Sequence, residues 1–377
     1  MTTNPTFTVT EEQQMLRSAA RQLLEARGGS EQVRSVMMTD EAVDDAAYKE
    51  LAQMGLVGLL VPEEHGGSGS GFVEVGIVAE ELGRSLLPMP FLSSAVLATT
   101  AILTAGNDEQ KAAYLPGLAS GEQTATLAHL DERGRLDAEP GIAASSSGDG
   151  WTLTGTSGFV LDGLSADLLV VAATTDEGIA LFVVPADATG VSREKVDVLD
   201  LTRPMATVRL DGVEVDDGAR LQGGAPGGAA LHAALTAGLM ALASEQVGGA
   251  RFVHEDVTEY ARTRMQFGRA IGSFQAIKHR IADLMVELES ATSAVMHAQR
   301  AVAEHDREEM SIAVPMGKAY ASEVFEHVAG EAIQIYGGIG FTWEHDAHLY
   351  FKRAKASRLL LGSPHHHRRV LAGVLGL

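Results

Sequence analysis

Two separated segments of the chain combine residue types that can hold a phosphate-bearing nucleotide. An arginine pairs bidentately with a pyrophosphate, aromatic rings can flank an adenosine, and adjacent glycines let the backbone approach phosphates closely. Each of these features alone also suits an ordinary helix end or helix–helix turn, but together they predict a binding site for a dinucleotide cofactor. The candidate residues are Arg264, Gln266, Phe267, Phe274 and Gln275 in the first segment, and Gln334, Ile335, Tyr336, Gly337 and Gly338 in the second.

Composition limits the class of protein before any motif is considered. The 377 residues suffice for two or three domains, and a hydrophobic share of 45% provides for a large core. The formal net charge of −21 argues against nonspecific binding to nucleic acid or to an anionic membrane. The absence of cysteine excludes disulfides, iron–sulfur clusters and thiolate catalysis. With no visible signal peptide and no uninterrupted apolar stretch of membrane-span length, we predict a soluble, cytoplasmic protein.

The first part of the chain, residues 1–122, has the pattern of an all-helical domain. A capping box from Thr10 to Gln13 precedes apolar residues at helical spacing. A further helix should carry Tyr48 and Leu51 and stop at Gly55, and an apolar helix should cover residues 92–103. This region is therefore predicted to be α-helical throughout.

Residues 123–222 have the pattern of a small β domain, a barrel or sandwich. Residues 151–155 alternate in polarity, and residues 168–173 and 179–184 are continuous apolar runs typical of buried strands. Asp211-Gly212 lies between alternating valines and leucines, which predicts a hairpin turn. Residues 223–228 are rich in glycine and form the linker that follows.

Residues 229–377 favour long helices joined by short connections, which predicts a four-helix bundle. Residues 314–335 are mostly helix-forming, and an apolar stripe precedes them at helical spacing. The stripe consists of Phe274, Ile277, Ile281, Leu284 and Leu288. The predicted fold is therefore α+β, with a helical domain, a β domain and a helical bundle in that order.

The order of these domains, together with four local motifs, resembles the acyl-CoA dehydrogenase family over essentially the whole chain. The motifs are residues 56–67, 80–84, 264–279 and 334–341. The resemblance implies FAD as cofactor, an acyl-CoA substrate and an electron-transfer flavoprotein as acceptor. It further implies that the ten candidate residues hold the ADP half of a flavin bound mainly by the neighbouring subunit.

Other positions depart from the family pattern. The carboxylate that removes the α-proton is replaced by Leu361 at its usual place and by Gly238 at its alternative place. Glu245, two turns further along the same helix, is the only nearby substitute. The segment that hydrogen-bonds flavin and substrate has no recognisable match in residues 128–140, and Leu161 lacks the hydroxyl that the family offers to the flavin edge.

These departures imply a subunit with no catalytic residue of its own. The chain resembles the non-catalytic subunit of actinobacterial α2β2 heterotetramers that degrade steroids, so a homologous catalytic subunit is the expected partner. Two alternatives stay open at this point. One is a homotetrameric dehydrogenase that uses Glu245 as its base, and the other is a flavin-free scaffold on the same fold.

The run His365-His366-His367 does not indicate a metal site. Three successive helical residues point in three directions, so they cannot all bind one ion. Ser363-Pro364 predicts the start of a terminal helix, with Ser363 as N-cap. Four nearby arginines form either a subunit interface or the cationic face of the last helices: Arg353, Arg358, Arg368 and Arg369.

Overall fold

The computed structural model describes residues 9–377 and arranges them as helices, then a β-sheet, then helices again. The capping box at the start of α1 is confirmed, because Thr10 and Gln13 exchange hydrogen bonds of 3.1 Å between side chain and backbone in both directions. The helix through Tyr48 also ends as predicted, just before Gly55. Helices α1 to α6 span Glu11–Arg27, Ser30–Met37, Asp45–Gln53, Phe72–Ser85, Thr99–Ala105 and Asp108–Ser120.

The apolar segment predicted as one helix over residues 92–103 has two parts. Its first part, Phe91–Ala98, is a π-helix in which every residue is buried, and α5 continues it. Because all sides of this segment face other elements, its sequence is apolar without helical periodicity. It packs on α7 and on the first strand of the sheet, so it joins the three regions of the molecule.

Within residues 9–377 seven strands form one sheet. One face of the sheet packs into the core of the helices, and the other face has a second core of its own. The strand order is β1-β4-β2-β3-β7-β6, with β5 paired to the other side of β4. Leu153, Val171, Phe182 and Val208 lie at the centre of this second core. Strands β1 to β7 span Ala125–Ala128, Ile142–Ser147, Gly150–Leu161, Leu168–Thr175, Gly178–Pro185, Val191–Lys195 and Met205–Asp216.

The hairpin predicted at Asp211-Gly212 is wrong. Both residues lie inside β7, which continues through them. Leu153 pairs with Val213 and Gly155 with Leu210, so β7 carries one extra residue there and bulges. Gly212 has φ +63°, a conformation that glycine adopts without strain. A dipeptide typical of turns thus forms a bulge here, and the sequence pattern alone does not distinguish the two.

Five helices form the C-terminal region, and the longest of them is its central element. Helix α7 packs against α8 and α9, and on its other side against α4. By length and mean hydropathy it could cross a membrane, as many buried core helices could, and most of its apolar stretch is buried inside the protein. Helices α7 to α11 span Gly227–Thr263, Gln275–Ala303, Arg307–Tyr336, Ala347–Leu359 and Pro364–Val374.

Glycines set the close contact between α4 and α7. A Cβ on Gly83 would lie 2.0 Å from the carbonyl oxygen of Glu245, and a Cβ on Gly248 would lie 1.8 Å from that of Glu80. Neither helix could approach the other this closely with a larger residue at these positions. The contact fixes the middle of α7 against the N-terminal region, and with it the position of Glu245.

Candidate functional site

The first predicted segment forms a short hairpin that projects from the end of α7. Strands β8, Met265–Gln266, and β9, Arg269–Ala270, pair around the turn Phe267-Gly268. Both turn residues have positive φ, +53° and +78°, which is the pattern of a type I′ turn. Phe267 is therefore held in a conformation that costs energy for a non-glycine residue, and its side chain is 91% exposed. An aromatic ring held out into solvent in this way is available to another molecule.

The arginine of this segment is free to bind an anion. The backbone of Arg264 is fixed, because its N–H donates to Tyr260 and its carbonyl accepts from Ile271, both at 2.8 Å. Its side chain is exposed and forms no hydrogen bond or ion pair within residues 9–377. Gln275, the first residue of α8, is likewise exposed, and the side chain of Gln266 donates to the carbonyl of Met265 at 2.9 Å.

A second cation of the hairpin was not recognised from the sequence. The guanidinium carbon of Arg269 lies 4.1 Å from the ring centre of Phe274, in a cation–π contact. Phe274 in turn meets Phe267 edge to face at 6.0 Å. Arg269 stands inside the predicted motif, but the strand pairing that brings it over Phe274 depends on the type I′ turn, which was not predicted.

The second predicted segment spans the C-terminal end of α9, and its residues divide into exposed and buried ones. Gln334, Gly337 and Gly338 are exposed, whereas Ile335 and Tyr336 are buried. The side chains of these last two face the interior, so only their backbone atoms could contact a cofactor. Gly337 has φ +69° and ψ −140°, a conformation that essentially only glycine adopts.

Tyrosine packing brings the two segments to the same end of the bundle. The rings of Tyr260, in α7, and Tyr336, in α9, meet edge to face at 5.0 Å. The hydroxyl of Tyr336 donates to Asp256, one turn before Tyr260. Burial, together with the neighbouring Asp256 carboxylate, raises the pKa of Tyr336 above its usual range. The buried tyrosine is thus a structural support beneath the exposed Gly337-Gly338 turn.

The two family positions for the proton-abstracting base face each other in an apolar contact. A Cβ on Gly238 would lie 3.2 Å from Cδ1 of Leu361 and 2.5 Å from Cδ2 of Leu97. Leu361 is only 6% exposed and has φ +56°. Leucine side chains therefore occupy the space beside Gly238, and neither position carries a group that accepts a proton.

Glu245 belongs to a buried ion cluster. Arg203 donates to both of its carboxylate oxygens, and Arg353 donates Nη1–H to Oε1 at 2.8 Å. Arg353 also donates to Asp200 at 2.5 Å and to the carbonyl and hydroxyl of Thr202. Burial opposes ionisation, but the two arginines outweigh it and lower the pKa of Glu245. A carboxylate bound in this way is a weak base and is committed to its partners.

The cluster borders a small cavity where the three regions of the chain meet. Its volume is about 30 Å³, room for about one water molecule. Arg203 points an unpartnered Nη1 into the interior, and burial raises the pKa of Asp162 to about 6 although Ser93 donates to it at 2.5 Å. The cavity lining is mixed: Leu82, Leu87, Met89, Phe91, Leu92, Leu161, Asp162, Thr202, Arg203, Glu245 and Arg353. No space for an acyl chain is present here.

The loop of residues 129–141 lies against Phe159. A Cβ on Gly134 would be 2.6 Å from Cδ2 of that ring. The Asp131 carboxylate holds the loop by accepting from the backbone of Arg133 and from the backbone and Nε of Arg135, and its carbonyl accepts from Gly158 at 3.1 Å. Nearby, burial lowers the pKa of His129 to about 4.

The C-terminal histidines lie in the first turn of the last helix, α11. Ser363 caps α11 as predicted, and His367 is buried, which lowers its pKa to about 4. Within residues 9–377 no cluster of three potential metal ligands occurs. Arg353 belongs to the ion cluster of Glu245 and not to a cationic surface, which corrects its grouping with the other arginines. Those pair with acidic side chains: Arg358 with Glu326, Arg368 with Glu323, and Arg369 with Asp137.

Comparison with known proteins identifies the family. Residues 10–122 match the model of the acyl-CoA dehydrogenase N-terminal domain, and residues 227–376 match that of its C-terminal domain. The chain belongs to the acyl-CoA dehydrogenase family. The family consists of FAD-dependent oxidoreductases, so FAD is the cofactor that the site has to accommodate.

Several relatives align with almost the full length of this chain. It is 36% identical over 361 residues to acyl-CoA dehydrogenase IpdE2 of Mycobacterium tuberculosis, covering 95% of both chains. It superposes with a TM-score of 0.90 and 30% identity on a chain of the ChsE4-ChsE5 complex from Mycobacterium tuberculosis, covering 98% of each. A variant of the Tcur3481-Tcur3483 steroid ACAD gives a TM-score of 0.88 at 30% identity, covering 98% of this chain and 99% of that one.

The residues present fit one half of FAD better than the other. The exposed Arg264 guanidinium, the exposed Phe267 and the open Gly337-Gly338 turn suit a pyrophosphate and an adenosine. Where the resemblance implies the flavin ring, the loop of residues 129–141 lies against Phe159, and Leu161 is buried without a polar group. The chain thus offers contacts for ADP and few for the ring.

Proposed function

We propose that this chain is the non-catalytic subunit of a heterotetrameric, FAD-dependent acyl-CoA dehydrogenase. In this proposal a homologous partner subunit carries the base and most of the substrate site, and two copies of each assemble as α2β2. The complex desaturates an acyl-CoA thioester between its α and β carbons and passes electrons to an electron-transfer flavoprotein. We place the complex in the cytoplasm. FAD supplies the hydride acceptor when bound.

The contact between Gly238 and Leu361 carries this proposal. α,β-Desaturation requires a base at the α-carbon, and both places where the family holds it are apolar here and packed together. A single lost carboxylate could be replaced from nearby. Here, however, the only candidate on the same stretch of helix, Glu245, already accepts from two buried arginines.

Known complexes favour a heteromeric partner and a steroid-derived substrate. Two of the similar structures are assemblies of two differently named chains, ChsE4-ChsE5 and Tcur3481-Tcur3483, and the second is described as a steroid ACAD. Because this chain aligns with nearly all of a subunit in each, we infer the same kind of pairing and a steroid-derived CoA ester as substrate.

In the proposed complex the hairpin and the Gly337-Gly338 turn complete the ADP pocket of a flavin held by the partner. Arg264 pairs with the pyrophosphate, and Phe267 with Phe274 forms an aromatic wall for the adenosine. Gln266, Gln275 and Gln334 are exposed beside them and donate to ribose or phosphate oxygens. Arg269 supports the Phe274 ring through its cation–π contact.

The experiment is the variant Arg264→Ala in the co-expressed complex. Removal of a charged guanidinium that pairs with the pyrophosphate in a partly desolvated site costs about 2–4 kcal/mol, or about a 30- to 1000-fold weaker affinity for FAD. The variant should assemble as a largely apo complex that regains activity with excess FAD. Arg264→Lys should restore part of the affinity, because the ammonium keeps the charge but lacks the planar fork.

Arg262→Ala is the matched control. Arg262 is also exposed near the end of α7, but it pairs with Glu259 at 3.4 Å on the surface. Its loss should leave flavin binding unchanged. Full flavin retention by Arg264→Ala through dialysis contradicts the shared ADP pocket. A yellow, active chain purified without any partner contradicts the heteromeric proposal as a whole.

A further inference from the structure

A closed ring of polar side chains lies inside the helical bundle, away from the candidate site. Its members are Lys318 and Ser322 of α9, Gln246 of α7 and Ser357 of α10, and all four are 0% exposed. Lys318 donates to Ser322 Oγ at 2.8 Å, and Gln246 donates to Ser357 Oγ at 3.1 Å. The single hydroxyl proton of Ser322 is shared between Gln246 Oε1 at 3.1 Å and the Lys318 carbonyl at 2.7 Å. Lys318 closes the ring by donating to the carbonyl of Ser357 at 3.1 Å. The ring therefore fastens three helices together.

The ring offers Lys318 acceptors for two protons and not for three. Its Nζ bonds only Ser322 Oγ and the Ser357 carbonyl, and no carboxylate in residues 9–377 forms an ion pair with it. A neutral amine has two N–H groups, whereas an ammonium has three. The hydrogen bonds around this side chain thus match the neutral form.

The charges around Lys318 also favour the neutral form. Ser322 and Gln246, from α9 and α7, are uncharged, and the next residue of α7, Glu245, is bound by Arg203 and Arg353. The titratable groups that act on Lys318 from other elements are Arg203 near the sheet and Arg358 of α10, and His367 of α11 is coupled to it. Burial first, and then Arg203 and Arg358, lower the pKa of Lys318 to about 7.

We propose that neutral Lys318 holds the C-terminal end of α10 against α9, and that protonation of Lys318 weakens this contact. Ser357 lies just before the elbow of residues 360–363, where Leu361 is held at φ +56° against Gly238. Residues 9–377 offer no acceptor for a third proton on Nζ, so protonation weakens the Ser357 contact and frees this elbow. The inference goes beyond the proposed function and does not depend on it.

The sign of the pH dependence follows from proton linkage. Between pH 7 and the ordinary lysine pKa of 10.5, the unfolded chain binds a proton at Lys318 that the folded chain does not. Stability therefore rises with pH across this window. Integrated from pH 7 to pH 9, this one site should lower the unfolding equilibrium constant by about 50-fold.

The experiment compares urea unfolding of the full chain and of Lys318→Met at pH 7, 8 and 9. Methionine has a similar length and does not titrate, so the wild-type constant should fall about 50-fold relative to this variant. Lys278→Met, an exposed position of α8, is the matched control and should follow the wild type. His367 titrates near pH 4 and lies outside this window. Parallel curves for wild type and Lys318→Met overturn the proposal.

A second measurement covers the case in which Lys318→Met does not fold. In the wild type, the amides of Leu360 and Gly362 donate to Ala356 and Leu359 at the elbow. Their hydrogen-exchange protection should rise between pH 7 and pH 9, while that of Gly134, which donates to Asp131 in a loop expected to open locally without global unfolding, stays constant. Equal behaviour of the elbow and this loop contradicts the proposed role of Lys318.

Discussion

Replacement of Glu245 by glutamine separates a structural carboxylate from a catalytic one. Glutamine has nearly the same shape, but it replaces one acceptor oxygen with an NH₂ group. In the ion cluster this donor would face the N–H groups of Arg203 or Arg353. The variant therefore leaves the buried Arg203 with a neutral acceptor where it had a charged one, whereas Arg353 keeps the Asp200 carboxylate.

The expected cost follows from the burial of the cluster. Glu245 has a side chain 10% exposed, and Arg203 and Arg353 are 9% and 5% exposed, so solvent screens the cluster little. Removal of one partner from a buried ion pair costs about 3–5 kcal/mol, because an uncompensated charge stays behind. Glu245→Gln should lower the free energy of unfolding by this amount at pH 7.

The cost should vanish in acid. The pKa of Glu245 is lowered in the folded protein, so its contribution is complete above the unfolded pKa of about 4.3 and is lost as pH falls through the lower folded value. Wild type and variant should therefore converge in stability at low pH.

The assay is urea unfolding, accompanied by turnover per folded complex. Glu289→Gln is the matched control, since this residue is 51% exposed, pairs with Arg251, and should cost less than about 1 kcal/mol. A Glu245→Gln variant as stable as wild type would refute the ion-cluster reasoning. Wild-type stability combined with lost turnover would instead establish Glu245 as the base.

Further predictions concern the packed base position, the buried acid and the flavin content. Gly238→Ala should lower the free energy of unfolding by about 1–3 kcal/mol, because the new Cβ would lie 2.5 Å from Leu97. Gly228→Ala on the same helix is the control: its Cβ would contact nothing, so the change should stabilise the protein by about 0.5–1 kcal/mol. Urea unfolding measures both. Because the pKa of Asp162 is raised in the folded protein, wild type should lose stability as pH rises from 4 to 6. Asp162→Asn should abolish this loss, so at pH 7 the variant should be more stable than wild type by about 2–3 kcal/mol, measured by thermal unfolding. Flavin released from the purified tetramer should amount to two molecules and not four, and four would show that the surface at Phe159 still accepts a ring.

Local patterns determined much of the fold. The capping box at Thr10 and the N-cap at Ser363 depend on residues within one turn, so the sequence specified them. The order of helical, β and helical regions follows from the period of apolar residues, which is also local. The Asp211-Gly212 bulge was missed because a bulge is defined by the partner strand, here β3, and not by the dipeptide.

The candidate site shows the same division. Arg264 and Gly337 could be selected from the sequence because charge and backbone freedom belong to the residue type itself. Ile335 and Tyr336 were selected with them, but the sequence could not show that both side chains face the interior. The role of Arg269 depends on a turn whose first residue, Phe267, is not a usual choice for positive φ.

The sequence by itself determined that the two usual base positions hold leucine and glycine, because residue identity needs no structure. Only the tertiary structure decided what fills those positions and what Glu245 does. Gly238 and Leu361 meet across a chain separation that no local pattern spans. The partners of Glu245 come from the loop after β6 and from α10, far away in sequence. Long-range packing of this kind sets burial, and burial sets which carboxylate is a base and which is an ion-pair partner.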